Sequence, residues 1–208
     1  MKLYYSAGSC AMSCHIALEE SGLKYEGIEV DWENSSDPGA AQVAKLNALG
    51  TVPVLITDDG KQLDQNIAIH TYIADKVPDK KLLPPNGTFE RAEAVKWLSF
   101  VSADMHKAIG ALFTVNYVSK DKAVQDAYRQ YAMGRAKEIL AYLDNNLAGK
   151  DFLLGKNFCL ADAYAFVVAG WTKWLEIPLT PYKNIQSYMG RVAARPAVAK
   201  VIKVEGLE

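Results

Sequence analysis

Cys10 is the residue of this sequence that is best placed to do chemistry. It follows a strand-like run, Lys2–Tyr5, and a turn signal, and it stands one residue before a predicted helix, Ala11–Gly22. Unpaired amide hydrogens and the positive end of the helix dipole at that position stabilise a thiolate. Cys10 is therefore a candidate redox nucleophile, or the helix start is a site for another molecule's sulfur anion. A buried, inert thiol is the alternative.

Cys14 and His15 lie close to Cys10 in the chain, yet the spacing does not predict a metal site. His15 falls on another face of the helix, and no fourth ligand occurs at zinc spacing. The Cys-x-x-x-Cys spacing also differs from that of a Cys-x-x-Cys dithiol. We therefore expect Cys14 and His15 to be packing residues and no metal to be bound.

Three further positions are candidates for ligand contact. Pro53 interrupts the strand-like run Val52–Ile56, and a cis peptide before it would turn the backbone N–H and C=O of Val52 toward a ligand. Gln65 and Asn66 open a predicted helix, where polar side chains and unpaired N–H groups bind a carboxylate; a plain N-cap role for Asn66 is the alternative. His106 lies within a long helical run, where a histidine is more often a surface or interface residue than a catalyst.

Hydrophobic periodicity divides the chain into two predicted domains. Residues 1–78 follow the order β-α-β-α-β-β-α, which predicts a mixed α/β domain. Its strand-like runs are Lys2–Tyr5, Tyr25–Val30, Val52–Ile56 and Gln62–Leu63. A turn-rich linker covers residues 79–88, and residues 89–208 predict an all-helical domain. The helical runs there are Phe89–Tyr117, Lys122–Leu147, Ala161–Leu175 (apolar almost all round), Ile185–Ala194 and Ala197–Val204.

Composition excludes several classes of protein. Half of the 208 residues are hydrophobic and 23% are charged, which is enough apolar mass for a sizeable core. A net charge of −1 gives no basic excess for binding nucleic acid. The longest run without a charged residue, Leu3–Leu18, is shorter than the roughly 20 apolar residues of a membrane span, and we expect no signal peptide. Three cysteines, an odd number, favour a reducing, cytoplasmic compartment.

Charge is divided unevenly along the chain. Residues 1–80 hold 6 Lys and Arg against 12 Asp and Glu, whereas residues 81–208 hold 17 against 12. Opposite signs on two lobes favour docking of one lobe on the other, within one chain or between two chains. Two solvated surfaces with uneven composition are the alternative interpretation.

Taken together and in order, these motifs resemble the cytosolic glutathione S-transferases over the whole chain, and the bacterial beta class in particular. The motifs are Met1–Cys10, Thr51–Leu55, Gln65-Asn66, Glu93-x3-Trp97-Leu98-Ser99-Phe100, His106-Lys107, Phe158-x2-Ala161-Asp162-Ala163-Tyr164 and Arg195-Pro196. The resemblance implies a thioredoxin-like βαβ-αββα domain followed by a helical domain, in a homodimer. It also implies a transferase that uses glutathione as co-substrate, without a permanently bound cofactor, and a hydrophobic electrophile as the second substrate.

The same resemblance implies roles for individual residues. Cys10 would face the glutathione sulfur and form a mixed disulfide with it, with His106 nearby as a second catalytic residue. Val52, before a cis Pro53, would pair with the cysteinyl backbone of glutathione, and the γ-glutamyl end would be held by Gln65 and Asn66. The pocket would be completed by Ser99 and, from the neighbouring subunit of a dimer, by Ala103, Asp104, Met105 and His106. The electrophile would lie over Ala108–Tyr117 and Ala163–Trp174.

Three positions depart from the beta-class pattern at the expected glutathione site. Ala11 stands where many members have a serine, Ser35 where a lysine often contacts the glycyl carboxylate, and Asn66 where serine or glycine is usual. Two alternatives to conjugation therefore stay open. One is thiol–disulfide exchange or peroxide reduction through Cys10, and the other is a non-catalytic protein that binds glutathione or apolar ligands. An isomerase of the zeta type is disfavoured, because the Ser-rich opening motif of that class is absent.

A fourth departure concerns folding. Cys159 takes the place of the Ser or Thr that usually opens the capping box ending in Asp162. Because a thiol is a poor cap, we expect Cys159 to lower stability by about 1 kcal/mol relative to Ser or Thr.

Overall fold

Four short strands form one mixed sheet in the N-terminal part of the chain. In the computed structural model, which describes residues 1–208, they are β1 (Lys2–Tyr5), β2 (Glu26–Glu29), β3 (Val54–Ile56) and β4 (Gln62–Asp64). The strand order is β2-β1-β3-β4. β1 runs parallel to β2 and antiparallel to β3, and β3 and β4 form an antiparallel hairpin. The predicted thioredoxin-like element order is confirmed.

Helices α1 (Met12–Ser21), α2 (Pro38–Leu46) and α3 (Asn66–Lys76) alternate with these strands. Local sequence signals set several of their ends. Gly22 closes α1 in the left-handed conformation, at φ 71°, and its N–H donates to the carbonyls of the last turn. Asp37 caps α2, because its carboxylate accepts the N–H of Ala40 at 2.7 Å, and Pro38 occupies the first helical position.

The helical part of the chain opens with one continuous run that changes its period. α4 (Phe89–Phe100) passes through a π-helical turn (Val101–Met105) into α5 (His106–Gly110), and a 3₁₀ segment follows (Ala111–Tyr117). The remaining helices are α6 (Lys122–Leu147), α7 (Leu160–Gly170), α8 (Lys183–Ala193) and α9 (Pro196–Val204). α7 is buried from Leu160 to Ala169, as its all-round apolar sequence predicts. No helix combines the length and the apolar character needed to cross a membrane.

The chain forms two compact units, Met1–Arg91 with Ala193–Glu208, and Ala92–Val192. The division into domains at residues 78 and 89 stays a prediction, but the last segment differs from the predicted all-helical block. It belongs to the first unit because α9 packs on α1. The Arg195 guanidinium also donates to both carboxylate oxygens of Glu20, at 2.6 and 2.8 Å.

Two of the differences from the predicted element boundaries have a visible cause. β3 begins at Val54 rather than Val52, since the Val52–Pro53 peptide bond is cis and the chain bends there. α7 ends at Gly170 rather than Leu175, and turns continue the chain to Glu176. The hydroxyl of Thr172 donates to the carbonyl of Ala169 at 2.6 Å, which helps to end the helix.

The start of α7 is built around Asp162, which is fully buried. Its two carboxylate oxygens accept the backbone N–H groups of Leu153 and Cys159, each at 2.8 Å, and its carbonyl accepts the Tyr188 hydroxyl at 3.0 Å. Burial raises the pKa of Asp162 to about 6, although these hydrogen bonds oppose the rise. The predicted capping box is present, with Cys159 as its N-cap residue.

Candidate functional site

Cys10 lies in the loop between β1 and α1, two residues before α1 begins. Its thiol is partly exposed, and Sγ lies 3.8 Å from the carbonyl oxygen of Val52, which accepts its S–H. The structure therefore brings together two predicted site residues that are 42 positions apart in the chain. Cys14 and His15 are buried, which confirms that they are packing residues.

More of the backbone N–H groups at the start of α1 donate hydrogen bonds within the protein than the sequence predicts. The N–H of Ala11 donates to the Ser9 hydroxyl at 3.2 Å. The N–H groups of Met12 and Ser13 donate to the carbonyls of Ser9 and Cys10, at 3.1 and 3.2 Å. The expectation of unpaired amide hydrogens is therefore wrong for these three groups, because the loop tightens into consecutive turns before the helix begins. Stabilisation of an anion beside Cys10 depends more on the helix dipole than on these groups.

Asn66 points into the protein rather than toward solvent. Only 7% of the residue is exposed. Its side-chain amide donates to the Cys10 carbonyl at 2.7 Å and to the Ser13 hydroxyl at 2.8 Å, so both N–H bonds of the amide are used internally. This corrects the alternative that the Asn66 side chain caps α3, while contact of Asn66 with a ligand stays a prediction. Asn66 instead ties the start of α3 to the start of α1.

Gln65 has a backbone conformation that side-chain-bearing residues rarely adopt. Its φ is 66° and its ψ is 122°, at the residue that precedes α3. Such strain costs on the order of 1–3 kcal/mol and is concentrated at functional sites. The Gln65 residue is also exposed, and its side chain does not cap α3. Strain and exposure together agree with the prediction that Gln65 contacts a ligand.

The residues expected to complete the pocket lie in the second unit, at and beside the π-helical turn. Ser99, Ala103 and Asp104 are exposed. Single turns of π-helix occur frequently at functional sites, because the extra residue shifts the side chains that follow it. The Met105 side chain is fully buried in the core, so the predicted contact of Met105 with a ligand would be made by its backbone.

His106 follows this turn and is partly buried. Its Nδ1 hydrogen-bonds with the Tyr164 hydroxyl at 3.0 Å, and its ring meets Trp171 edge-on at 4.7 Å. Gly110 leaves room for the ring, since a Cβ there would lie 3.4 Å from it. Burial, aided by the charge of Lys107, lowers the pKa of His106 to about 4. The imidazole is therefore neutral at pH 7 and a weaker base than an ordinary histidine.

Replacing His106 by asparagine is expected to make the protein less sensitive to acid. The folded pKa of about 4 lies below the ordinary 6.5, so the unfolded state binds more protons between these values. Stability is fully present above pH 6.5 and falls, as the pH drops toward 4, by about 1.4 kcal/mol per pH unit for this group. The pKa of His70 is also lowered to about 4, and His70 contributes the same loss of stability on acidification in both proteins. Urea titrations at pH 7 and 5 measure the difference, and equal losses in both proteins would contradict the prediction.

The apolar surface expected for an electrophile is smaller than predicted. The residues of Ala163–Trp174 that lie within α7 are buried up to Ala169 and cannot line a surface. The exposed aromatic side chains within the two predicted stretches are Phe113, Tyr117 and Trp174. Phe113 packs edge-on against Trp171 at 5.9 Å.

Sequence reasoning missed one buried polar residue beside the Cys10 loop. Glu205 accepts the N–H of Gly8 at 2.8 Å, and its other carboxylate oxygen lies 2.8 Å from Nδ1 of His15. The partners are 197 and 190 positions away, so no local pattern in the sequence marks the pair.

Two family models match the chain. Residues 1–75 match the glutathione S-transferase N-terminal domain, and residues 94–196 match the glutathione S-transferase C-terminal domain. Among curated proteins, glutathione S-transferase GstA of Escherichia coli O157:H7 is 31% identical over 208 residues. Glutathione S-transferase GST-4.5 of Xanthomonas campestris pv. campestris is 32% identical over 208 residues. Each comparison covers 100% of both chains.

Solved structures of bacterial proteins are similar over the full length. The ternary complex of BphK, a bacterial GST, has a TM-score of 0.91 and 38% identity. The beta-class glutathione S-transferase of Sphingomonas chungbukensis has a TM-score of 0.89 and 37% identity. A sphingomonad glutathione S-transferase complexed with glutathione has a TM-score of 0.89 and 36% identity. All three comparisons cover 100% of both chains.

Proposed function

The chain belongs to the glutathione S-transferase family, and on that basis we propose that it conjugates the thiolate of glutathione to hydrophobic electrophiles. In this reaction the glutathione sulfur forms a bond to an electrophilic carbon, and the leaving group departs with its electron pair. The thiol proton passes to a base or to solvent. Glutathione is the co-substrate, and no permanently bound cofactor is required.

The observation that carries the proposal is the convergence of Cys10, Val52 and the start of α3 in the first unit. The Cys10 thiol lies 3.8 Å from the Val52 carbonyl, and the Cys10 carbonyl lies 2.7 Å from the Asn66 amide nitrogen. We assign the glutathione sulfur to a position facing Cys10, and its cysteinyl backbone to Val52, beside Pro53. Gln65 and the backbone N–H groups of the first turn of α3 hold the γ-glutamyl carboxylate.

The site must favour the thiolate over the thiol. Lowering a thiol pKa by one to two units stabilises the thiolate by about 1.4–2.8 kcal/mol, enough to make it prominent near neutral pH. The positive end of the α1 dipole acts in that direction. With Ala11 in place of a serine, the residue after Cys10 offers no side-chain hydroxyl to assist.

Residues of the second unit are proposed to complete the glutathione site and to bind the electrophile. Ser99, Ala103 and Asp104 are exposed, and we assign them, with neutral His106, to the glutathione site of a homodimer. The homodimer remains a proposal, supported by the opposite net charges of the two parts of the sequence. Exposed Phe113 and Trp174 favour a hydrophobic electrophile, and the odd number of cysteines favours a cytoplasmic location.

A second candidate function is redox chemistry at Cys10. Cys10 is partly exposed, whereas Cys14 and Cys159 are buried, so it is the thiol that oxidised glutathione can reach. In that exchange the Cys10 thiolate attacks one sulfur of oxidised glutathione. A mixed disulfide forms on Cys10, and one glutathione thiolate leaves.

Intact mass measured after incubation with oxidised glutathione tests the site. We expect one glutathione adduct on the wild type, none on Cys10→Ala, and an unchanged adduct on the control Cys14→Ala, because Cys14 is buried. An adduct that persists on Cys10→Ala would contradict the assignment of Cys10.

Activity measurements on the same variant separate the functions. If conjugation is the main function, Cys10→Ala retains it to within about tenfold while it loses disulfide exchange. Loss of both activities in a variant that still binds glutathione would favour catalysis through Cys10. Failure of the wild type to bind immobilised glutathione would contradict both, and would favour a non-catalytic protein that binds apolar ligands.

A further inference from the structure

Glu205, near the end of the chain, is buried against the loop that carries Cys10. Its side chain is fully inaccessible, and its two oxygens have different partners in that region. One accepts the N–H of Gly8, two residues before Cys10, at 2.8 Å. The other lies 2.8 Å from Nδ1 of His15, within α1. One carboxylate therefore holds the backbone on one side of Cys10 and a side chain on the other.

The His15 end of this bridge is rigid. Its ring lies 4.7 Å from that of Tyr5 and meets the ring of Tyr25 edge-on at 5.5 Å. The Gly8 end is a turn, with Gly8 at φ 69°, a conformation that glycine adopts readily. A buried carboxylate is retained only with strong partners, and a rigid anchor on one side lets Glu205 fix the loop on the other.

Two other ties join this part of the chain to the opposite end of α1. Arg195 binds Glu20, and Lys200 binds Glu19 at 2.8 Å, both at the C-terminal end of α1. These pairs fasten the helices to each other. Only Glu205 among these carboxylates reaches back to the residues that precede α1, so its effect on the loop is separable from its effect on helix packing.

We propose that Glu205 is a positioning residue for Cys10, and through it for the glutathione sulfur. By holding Gly8 against α1, it fixes the turns from Gly8 to Ala11 so that the Cys10 thiol stays beside the Val52 carbonyl. The part of this inference that concerns glutathione rests on the proposed function. The part that concerns the Cys10 thiol stands on the hydrogen bonds alone.

The test compares Glu205→Gln with the control Arg195→Met. Glutamine keeps the size of the side chain but removes its charge and offers one acceptor oxygen in place of two, so Gly8 N–H and an Nδ1–H of His15 can no longer each donate to a separate oxygen. Arg195→Met removes the two bonds to Glu20, at the end of α1 opposite the Cys10 loop. Both variants are measured at a temperature where far-UV circular dichroism shows them folded.

Two readouts distinguish positioning from stability. The first is the rate at which iodoacetamide alkylates Cys10, followed by peptide mass spectrometry, and it does not depend on glutathione. We expect Glu205→Gln to raise this rate at least about threefold, because the thiol is no longer held at the Val52 carbonyl. The second is steady-state kinetics: KM for glutathione rises about tenfold with kcat changed less than about threefold, since a shift of about 1 Å in a positioning group is enough. We expect Arg195→Met to leave the alkylation rate, KM and kcat within about twofold of the wild type.

Equal effects of the two variants on the alkylation rate would overturn the proposal and make Glu205 a stability residue only. If Glu205→Gln does not fold, Glu205→Asp, which keeps the charge and shortens the reach, is measured against the same control. Failure of the wild type to bind glutathione would contradict the proposed function, while the alkylation rates would still decide the role of Glu205.

Discussion

Replacing Asp162 by asparagine is expected to lower the free energy of unfolding by about 3 kcal/mol. The carboxylate accepts two backbone N–H groups, from Leu153 and Cys159, and it is fully buried. An asparagine has only one oxygen there, so its amide nitrogen would face a backbone N–H, donor against donor. One buried N–H group would then lose its partner, and the start of α7 would lose its cap. Urea denaturation followed by far-UV circular dichroism at pH 7 measures the change.

The matched control is Asp126→Asn, the same chemical change at a solvent-exposed carboxylate. Asp126 pairs with Lys122 on the surface of α6, and such pairs contribute less than about 1 kcal/mol. We expect this variant to unfold within about 0.5 kcal/mol of the wild type. If Asp162→Asn unfolds no more easily than this control, the buried carboxylate does not stabilise the start of α7.

Helix boundaries can be predicted from the sequence where capping chemistry acts within a few residues. Gly22 at the end of α1 and Asp37 before α2 are examples, because their geometry depends on backbone groups three or four positions away. The cis peptide at Pro53 and the occupied amides at Ala11 were beyond such reasoning. The first depends on the surrounding fold, and the second on a loop conformation that no periodicity encodes.

For two of the residues that the resemblance implies, the structure shows that the side chain points into the protein. Asn66 follows Gln65 where expected, but its amide points inward, because the Cys10 carbonyl and the Ser13 hydroxyl lie within reach. Met105 falls within the expected stretch, yet the helical period puts it in the core. Position in a motif therefore indicates where a residue lies in the fold, and burial decides whether its side chain is available to a ligand.

Hydrogen-bond partners that are far apart in the chain could not be predicted from the sequence. Glu205 looks like an ordinary charged residue near a helix end, and its bonds to Gly8 and His15 arise only once α9 lies on α1. The pairing follows from the tertiary packing of the whole first unit. A residue of this kind is found from its burial, because an inaccessible carboxylate requires partners and these partners flank Cys10.

Replacing Gln65 by glycine is expected to stabilise the protein while it weakens glutathione binding. The wild-type backbone at φ 66° and ψ 122° is strained for glutamine, and glycine adopts it at lower cost. Relief of that strain outweighs the greater chain entropy of glycine by about 1 kcal/mol. The side chain proposed to hold the γ-glutamyl carboxylate is lost at the same time. We expect KM for glutathione to rise about tenfold to a hundredfold, since a hydrogen bond to a charged group contributes about 1.5–3 kcal/mol.

Gln65→Ala separates the two effects, because alanine also lacks the amide but keeps the strain. Its KM for glutathione should rise as much as that of the glycine variant, with no gain in the free energy of unfolding. A wild-type KM in both variants would remove Gln65 from the glutathione site, and equal stabilities of the two would show that the backbone at Gln65 carries no strain. If both differences appear, the protein keeps a conformation that lowers its stability in order to hold Gln65 at the ligand. A cost of that kind is retained where function requires it.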